Sequence, residues 1–345
     1  MKDSIGILIL NTGTPSSCAP SDVRTYLTEF LMDGRVLDVP FWIREILVKW
    51  IIVPFRHKKS ARAYAKIWTS GTSPLMLHSR ELASKLQQEL NVKVALGLSY
   101  ASPSIEDALE ELKGCLNIIV VPLFPQYASA TSGSCIQEVM RLVSKWQVIP
   151  ELTIQGPFAN NELFLQAWYE RAKAIDFSQY DHILFSFHGL PLRHVQKQDR
   201  AGCCLKQNCC NTLTQENAYC YPAQCTYTAK ELASRLNIQD YTICFQSRLG
   251  LDKWLKPYTL DVIKERRKMG DTRLLVFAPS FVADCLETIY EISMEYKEDF
   301  LMMGGQTLDL VPSLNTHPAW VSALSQIIQE KMSPQTELSA FANIQ

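Results

Sequence analysis

The sequence predicts an α/β protein made of two similar halves, each a parallel sheet with helices on both faces. Three observations predict it. Short Val/Ile/Leu-rich runs bounded by turn residues alternate with segments of helical period. The runs are almost continuously apolar, as strands covered on both faces must be. The stretch Leu8-Ile9-Leu10-Asn11-Thr12-Gly13-Thr14-Pro15 also lines up with Leu184-Phe185-Ser186-Phe187-His188-Gly189-Leu190-Pro191; each reads strand, polar tip, glycine, one residue, proline. At 345 residues and 47% hydrophobic, the chain has room for two domains with sizeable cores. We expect a first domain at 1–150 and a second at 151–312 carrying a Cys-rich insertion at 200–225. A C-terminal helix at 313–332 should fold back on the first domain.

The strand Ile5–Leu10 opens the first half. Before it stands no long apolar region with a small-residue cleavage site, so a cytoplasmic protein is expected. The segment Phe41-Trp42-Ile43-Arg44-Glu45-Ile46-Leu47-Val48-Lys49-Trp50-Ile51-Ile52-Val53-Pro54-Phe55-Arg56 is the most membrane-like. It is too short and too charged to span a bilayer. It fits a helix lying peripherally on the inner membrane, a helix lining the mouth of an apolar cleft, or an ordinary buried helix.

Helical Leu82–Leu90 then precedes strand Val94–Leu98, and helical Ile105–Leu112 precedes strand Ile118–Val121. After that strand comes Pro125-Gln126-Tyr127-Ala128-Ser129-Ala130-Thr131-Ser132-Gly133-Ser134, whose small hydroxyl residues suit a carboxylate or phosphate at a helix N-terminus. It lacks the Gly-Lys-Ser/Thr ending of a phosphate loop, and no Gly-x-Gly-x-x-Gly follows any strand, so no nucleotide is expected. Nucleic acid is not expected either, because 34 basic side chains face 35 acidic ones, for a net charge of −1.

In the second half the apolar strand Ile183–Phe187 stops at His188 and turns through Gly189 and Pro191. Ligands of open α/β sheets bind beyond the carboxyl ends of the strands. His188 stands there, able to bind a metal or take a proton near neutral pH, or simply to cap the strand. Six of the eleven cysteines follow, between Cys203 and Cys225. Thiolates at these spacings reach one tetrahedral zinc or a 2Fe–2S cluster, and spacing does not choose between them. The expected set is Cys204, Cys210, Cys220 and Cys225, with Cys203 or Cys209 able to substitute. Cys225 can instead pack at the start of the next helix.

Helical Ala229–Leu236 and strands Tyr241–Phe245 and Leu274–Phe277 complete the alternation. The segment from Phe281 to Ile292 comes next. If it is α-helical, Asp284, Glu287, Glu291 and Glu295 fall within an arc of about 80°, opposite Val282, Cys285, Ile289 and Ile292. Such a stripe is either a solvated face or a row of carboxylates facing His188 across a cleft. In the second case it would help bind a borderline metal such as Fe2+ or relay protons.

Taken in order, these elements resemble the ferrochelatases, which insert Fe2+ into a porphyrin at the end of haem synthesis. The likeness runs nearly end to end. It is carried by Asn11 to Pro15, Phe30-Leu31 with Asp33, Lys66-Ile67-Trp68, Ser73-Pro74-Leu75, Pro122 to Ser134, Phe245-Gln246-Ser247-Arg248 with Trp254, and Leu314-Asn315. Most specific are Ser186-Phe187-His188-Gly189-Leu190-Pro191 and Asp284-Cys285-Leu286-Glu287-Thr288-Ile289-Tyr290-Glu291. The resemblance implies two Rossmann-like domains of the class II chelatase type with a porphyrin cleft between them. It makes His188 the group that meets the pyrrole nitrogens, as proton acceptor or ligand to the Fe2+ substrate, with Glu287 facing it. Asp284 and Glu291 would extend an acidic path, and Met32, Tyr100, Tyr127 and Trp254 would line the cleft. An upstream porphyrinogen oxidase is an implied partner.

Three departures stand out. Ser99 replaces an Arg found before the Tyr in many relatives; if that Arg binds a propionate, Arg248 or Lys253 must serve here. Cys285 stands where animal-type members have His. The Cys-rich insertion resembles the segment of certain bacterial members that carries a 2Fe–2S cluster. Protoporphyrin IX is the expected substrate, with coproporphyrin III as the alternative. A non-catalytic iron or haem sensor reporting through its cysteines is the reading of another class.

Overall fold

The computed structural model describes residues 5–332 except 201, 205, 207 and 251. The first half holds β1 (Ile5–Asn11), β2 (Lys93–Leu98), β3 (Asn117–Pro122) and β4 (Glu151–Ile154) in the order β2-β1-β3-β4. The second holds β5 (His182–His188), β6 (Tyr241–Gln246), β7 (Arg273–Phe277) and β8 (Thr307–Leu310) in the order β6-β5-β7-β8. Every pairing is parallel. Both sheets thus put their first strand between their second and third, and the faint sequence repeat is a repeat of topology. The strands read as apolar runs because helices cover both faces: Ile7 to Leu10 and Leu184 to Phe187 are fully buried.

The expected boundary at 150 is displaced. Residues 151–154 pair with Asn117 to Val120 and complete the first sheet, so the second half begins after them. The strand is short and half polar, and only its partner makes it a strand. The C-terminal helix Pro318–Met332 packs on the helices Pro74–Leu90 and Glu162–Ala172. Its Trp320 is fully buried beside Phe158 and Phe164, each with ring centroids 6.0 Å away.

One apolar core runs through both halves, from Ile7 and Val121 across Phe158 and Trp320 to Phe185 and Phe277. A separate cluster joins helices Pro20–Met32 and Val53–Ile67 of the first half to Leu286, Ile289 and Met294 of the second. The segment from Phe41 is an α-helix to Ile46, then a π-helical stretch Leu47–Ile52, then the helix Val53–Ile67. It is not an ordinary buried helix. Val48 and Val53 face inward, but Phe41, Trp42, Trp50 and Phe55 stand in solvent, Phe55 at 83% exposure. Among the described residues no helix is long and apolar enough to cross a membrane.

Candidate active site

The site is assembled where β5 and β6 end. The two strands run in register to the pair His188–Gln246, so those residues emerge side by side at the sheet edge. Gly189 then turns back with its N–H on the Gln246 carbonyl at 2.8 Å. A Cβ at Gly189 would lie 2.8 Å from that oxygen and 3.3 Å from the Trp254 ring, so only glycine permits the turn. Trp254 is nearly buried under it, and Pro191 bridges back to Trp254.

His188 is half-buried, with Nδ1 2.6 Å from the Gly189 carbonyl oxygen. A carbonyl only accepts, so Nδ1 carries the proton and the neutral ring has its lone pair on Nε2. Its own carbonyl receives the Tyr221 hydroxyl at 2.7 Å, and Phe281 meets the ring edge-on at 6.2 Å.

Gln246 links the strand ends to the acidic helix. Ser186 donates to its Oε1 at 2.8 Å, fixing the amide, and Nε2 then donates to the Glu287 carbonyl at 2.9 Å and to Glu291 Oε2 at 3.3 Å. Ser186 also meets Thr259 at 2.8 Å. Ser247 adopts a left-handed φ of 64°, rare without glycine, and this aims its N–H at Glu291 Oε1 at 2.8 Å. The Ser247 hydroxyl adds a bond to Oε2 at 2.5 Å and Tyr296 one to Oε1 at 2.6 Å. Burial and the neighbouring Glu291 charge push the Tyr296 phenol far above its ordinary value.

The acidic stripe differs from expectation because Leu286–Tyr296 is a π-helix, not an α-helix. Asp284 lies before it, nearly buried. It accepts from Asn315 Nδ2 at 2.6 Å, Thr288 Oγ1 at 3.1 Å and the Ser313 N–H at 3.2 Å. Glu295 turns away to pair with Lys59 at 3.6 Å. Glu287 and Glu291 both meet Gln246, the first through its backbone carbonyl and the second through its carboxylate. Glu287 faces Tyr26 and Tyr64 of the first half and the Cys285 thiol. All three titrate well above their ordinary range, chiefly through burial and then through charges that include Glu287. Tyr26 and Tyr64 were missed in the sequence. They fall on the helical periods of Pro20–Met32 and Val53–Ile67 and read there as core aromatics.

Of the remaining expected residues, Tyr100 donates to Asp33 Oδ2 at 2.6 Å, which also receives Ser134 at 2.6 Å, and stacks edge-on with Phe30 at 5.4 Å. Met32 ends the Pro20–Met32 helix beside them, half-buried. Tyr127 is edge-on to Tyr219 at 5.2 Å, with its hydroxyl beside Gly133. Arg248 and Lys253 are both exposed, with Arg248 over the Tyr258 ring. Ser99 bonds Cys135 at 3.0 Å. Asp38 ties the halves together, taking Arg193 at 2.5 Å and Lys197 at 2.6 Å from the helix after the His188 turn.

The thiols divide. Cys203, Cys204, Cys209 and Cys220 line one small cavity, and Cys210 lies 3.5 Å from Cys209. A hydrogen bond between the two thiols raises Cys210 and lowers Cys220. Burial and the neighbouring Cys220 push the Cys204 thiol up to about 12. Cys225 does not join them. It is fully buried on the helix Tyr221–Arg235, packed in the shared core beneath Tyr221. Among the described residues no three His, Cys, Asp or Glu side chains are drawn into metal-binding geometry.

Comparison with known proteins agrees with this architecture. A family model described as Ferrochelatase matches residues 4–332. A Legionella pneumophila (strain Paris) protein named Ferrochelatase is 42% identical over 332 residues, covering 95% of this chain and 99% of its own. One of the same name from Coxiella burnetii (strain RSA 493 / Nine Mile phase I) is 40% identical over 342 residues, covering 96% of this chain and 95% of its own. Among solved structures, SirB from Bacillus subtilis with Fe3+ superposes with a TM-score of 0.53 at 14% identity, over 95% of both chains. That likeness is one of fold.

Proposed function

The chain belongs to the ferrochelatase family, a lyase that inserts Fe2+ into a porphyrin, and from that premise we propose that His188 is the base and protoporphyrin IX the substrate. Insertion releases two pyrrole N–H protons as Fe2+ enters, so a basic atom must stand beside the ring. The observation that carries the reading is the Gly189 carbonyl on Nδ1, which leaves the basic lone pair at Nε2. Glu287 faces the other side of the ring, with Tyr26 and Tyr64 around its carboxylate. Glu291, held by Gln246, Ser247 and Tyr296, takes protons onward. Asp284 fixes the start of the π-helix through Asn315 and Thr288. Met32, Tyr100 and Trp254 line the cleft. Binding energy along the porphyrin edge tilts the pyrrole lone pairs out of plane and lowers the barrier to insertion. The choice of protoporphyrin rests on the forms Lys66-Ile67-Trp68 and Ala283-Asp284-Cys285-Leu286-Glu287.

The reading is tested by anaerobic insertion with protoporphyrin IX and coproporphyrin III side by side. Protohaem should form several times faster. Faster coprohaem would reverse the substrate, and no product from either would sink the reading.

For the thiol segment, we propose a 2Fe–2S cluster or zinc held by Cys204, Cys209, Cys210 and Cys220, with Cys203 adjacent, because four of these thiols line one cavity and Cys210 lies beside Cys209; binding would have to draw them into ligand geometry. Such a group would brace the loop and carry no redox step of the insertion. The exposed Phe41, Trp42, Trp50 and Phe55, flanked by Arg56, Lys58 and Lys59, suit a peripheral seat on an anionic membrane surface. Co-sedimentation with anionic but not neutral vesicles tests this, and equal binding to both would remove the charge argument.

A further inference from the structure

We infer that a cavity beside β3 and β4, apart from the His188 centre, binds a small organic polycarboxylate through Arg35 and Arg200. The open cavity has a volume of about 550 Å3, the size of a small-molecule site; of the residues expected on the porphyrin cleft Tyr127 lines it, and His188, Glu287, Tyr100 and Trp254 do not. Its walls come from the end of β3, the π-helical turn Ser129–Gly133, the exit of β4, and Lys197, Gln198 and Arg200.

Charge points to an anion. Arg35, Lys197 and Arg200 line the cavity, and no Asp or Glu does among the described residues. Lys197 is largely answered by Asp38. The other two are not. The Arg35 guanidinium bonds only neutral oxygens, Gln137 Oε1 at 2.6 Å and Ser129 Oγ at 2.7 Å, and Arg200 lies over the Tyr219 ring at 5.4 Å. Neither forms an ion pair with a carboxylate among the described residues.

Hydrogen bonding points the same way. Gln198, with both amide atoms, and Gln155, with Oε1, line the cavity and are buried there without a partner among the described residues. These atoms are closed off from solvent, so an occupant would pair with them by drawing the glutamine side chains toward the cavity. Phe124, Tyr127 and Tyr219 give the cavity apolar walls, which suit a carbon skeleton better than a bare inorganic ion. The two guanidinium forks match carboxylates.

Gln198, Arg200 and Tyr219 also line the cavity holding Cys203, Cys204, Cys209 and Cys220, so an occupant would lean on the wall of the thiol segment.

The test is isothermal titration of the full chain with citrate and tricarballylate, and with inorganic phosphate as control. We expect saturable binding of one tricarboxylate, weaker at high salt, with phosphate at least about tenfold weaker. Arg200→Gln and Arg35→Gln should each weaken citrate about tenfold, and saturating porphyrin should leave citrate affinity unchanged. Arg200 is exposed, so its variant decides the matter if Arg35→Gln folds poorly. No saturable binding, equal affinity in wild type and Arg200→Gln, phosphate binding as tightly, or displacement by porphyrin would each overturn the site. Metal insertion measured on the same preparation stands or falls separately.

Discussion

Gln246 donates its side-chain amide to Glu291 at 3.3 Å while its backbone lies in register with His188. One residue thus joins the His188 strand tip to the carboxylate on the neighbouring helix. Replacing Gln246 with Leu would leave Glu291 and Ser186 short of a partner. We expect kcat for iron insertion to fall about tenfold, with porphyrin KM nearly constant. A rise in KM alone would make Gln246 a binding residue instead.

His188→Ala should cost about 10²–10⁴-fold in insertion rate, the usual worth of a positioned base. The melting temperature should hardly move, because the strand pairing ends at this residue. More than a tenth of wild-type turnover in a well-folded variant would take the base role away from His188.

Asp38 gives the protein an acid-sensitive clasp. Burial alone would raise its carboxyl, but Lys197 and Arg193 outweigh it and hold the value at about 2. A carboxyl lowered on folding stabilises above its unfolded value, near 4, and loses that contribution as pH falls toward 2. Its worth is about 1–2 kcal/mol at neutral pH. Denaturant titrations should show wild type losing this margin between about pH 4 and 2. Asp38→Asn should be destabilised at pH 7 and indifferent across the same window. Parallel curves for the two proteins would remove Asp38 from the acid response.

Cysteine variants should sort into two groups. Cys220→Ala should lose bound iron or zinc, read by metal analysis and visible absorbance. Cys225→Ala should keep the metal and lose about 1 kcal/mol of stability from a small buried void. Metal loss in the Cys225 variant would return that thiol to the ligand set.

Much of this was legible in the chain. A buried parallel strand must be apolar along its length, so β1, β3, β5 and β7 announce themselves, and the polar residue that halts β5 marks the sheet edge. Other features depend on partners the sequence does not display. Residues 151–154 alternate too weakly to be a strand until they meet β3. The acidic stripe assumed 3.6 residues per turn, whereas the π-helix winds more loosely, so Asp284 and Glu295 leave the row. Tyr26 and Tyr64 looked like core because they pack in it; that the Glu287 charge acts on them appears only in the fold. Cys225 sits five residues after Cys220, yet a helical turn carries it inward, away from the other thiols.

The apolar core that passes unbroken from one sheet into the other leaves little freedom for a hinge. Two halves joined in this way should melt in a single calorimetric step and hold a slot of nearly constant width. A flat ring entering such a slot would have to yield to its walls, and the stiffness of the scaffold would then be the force that deforms it.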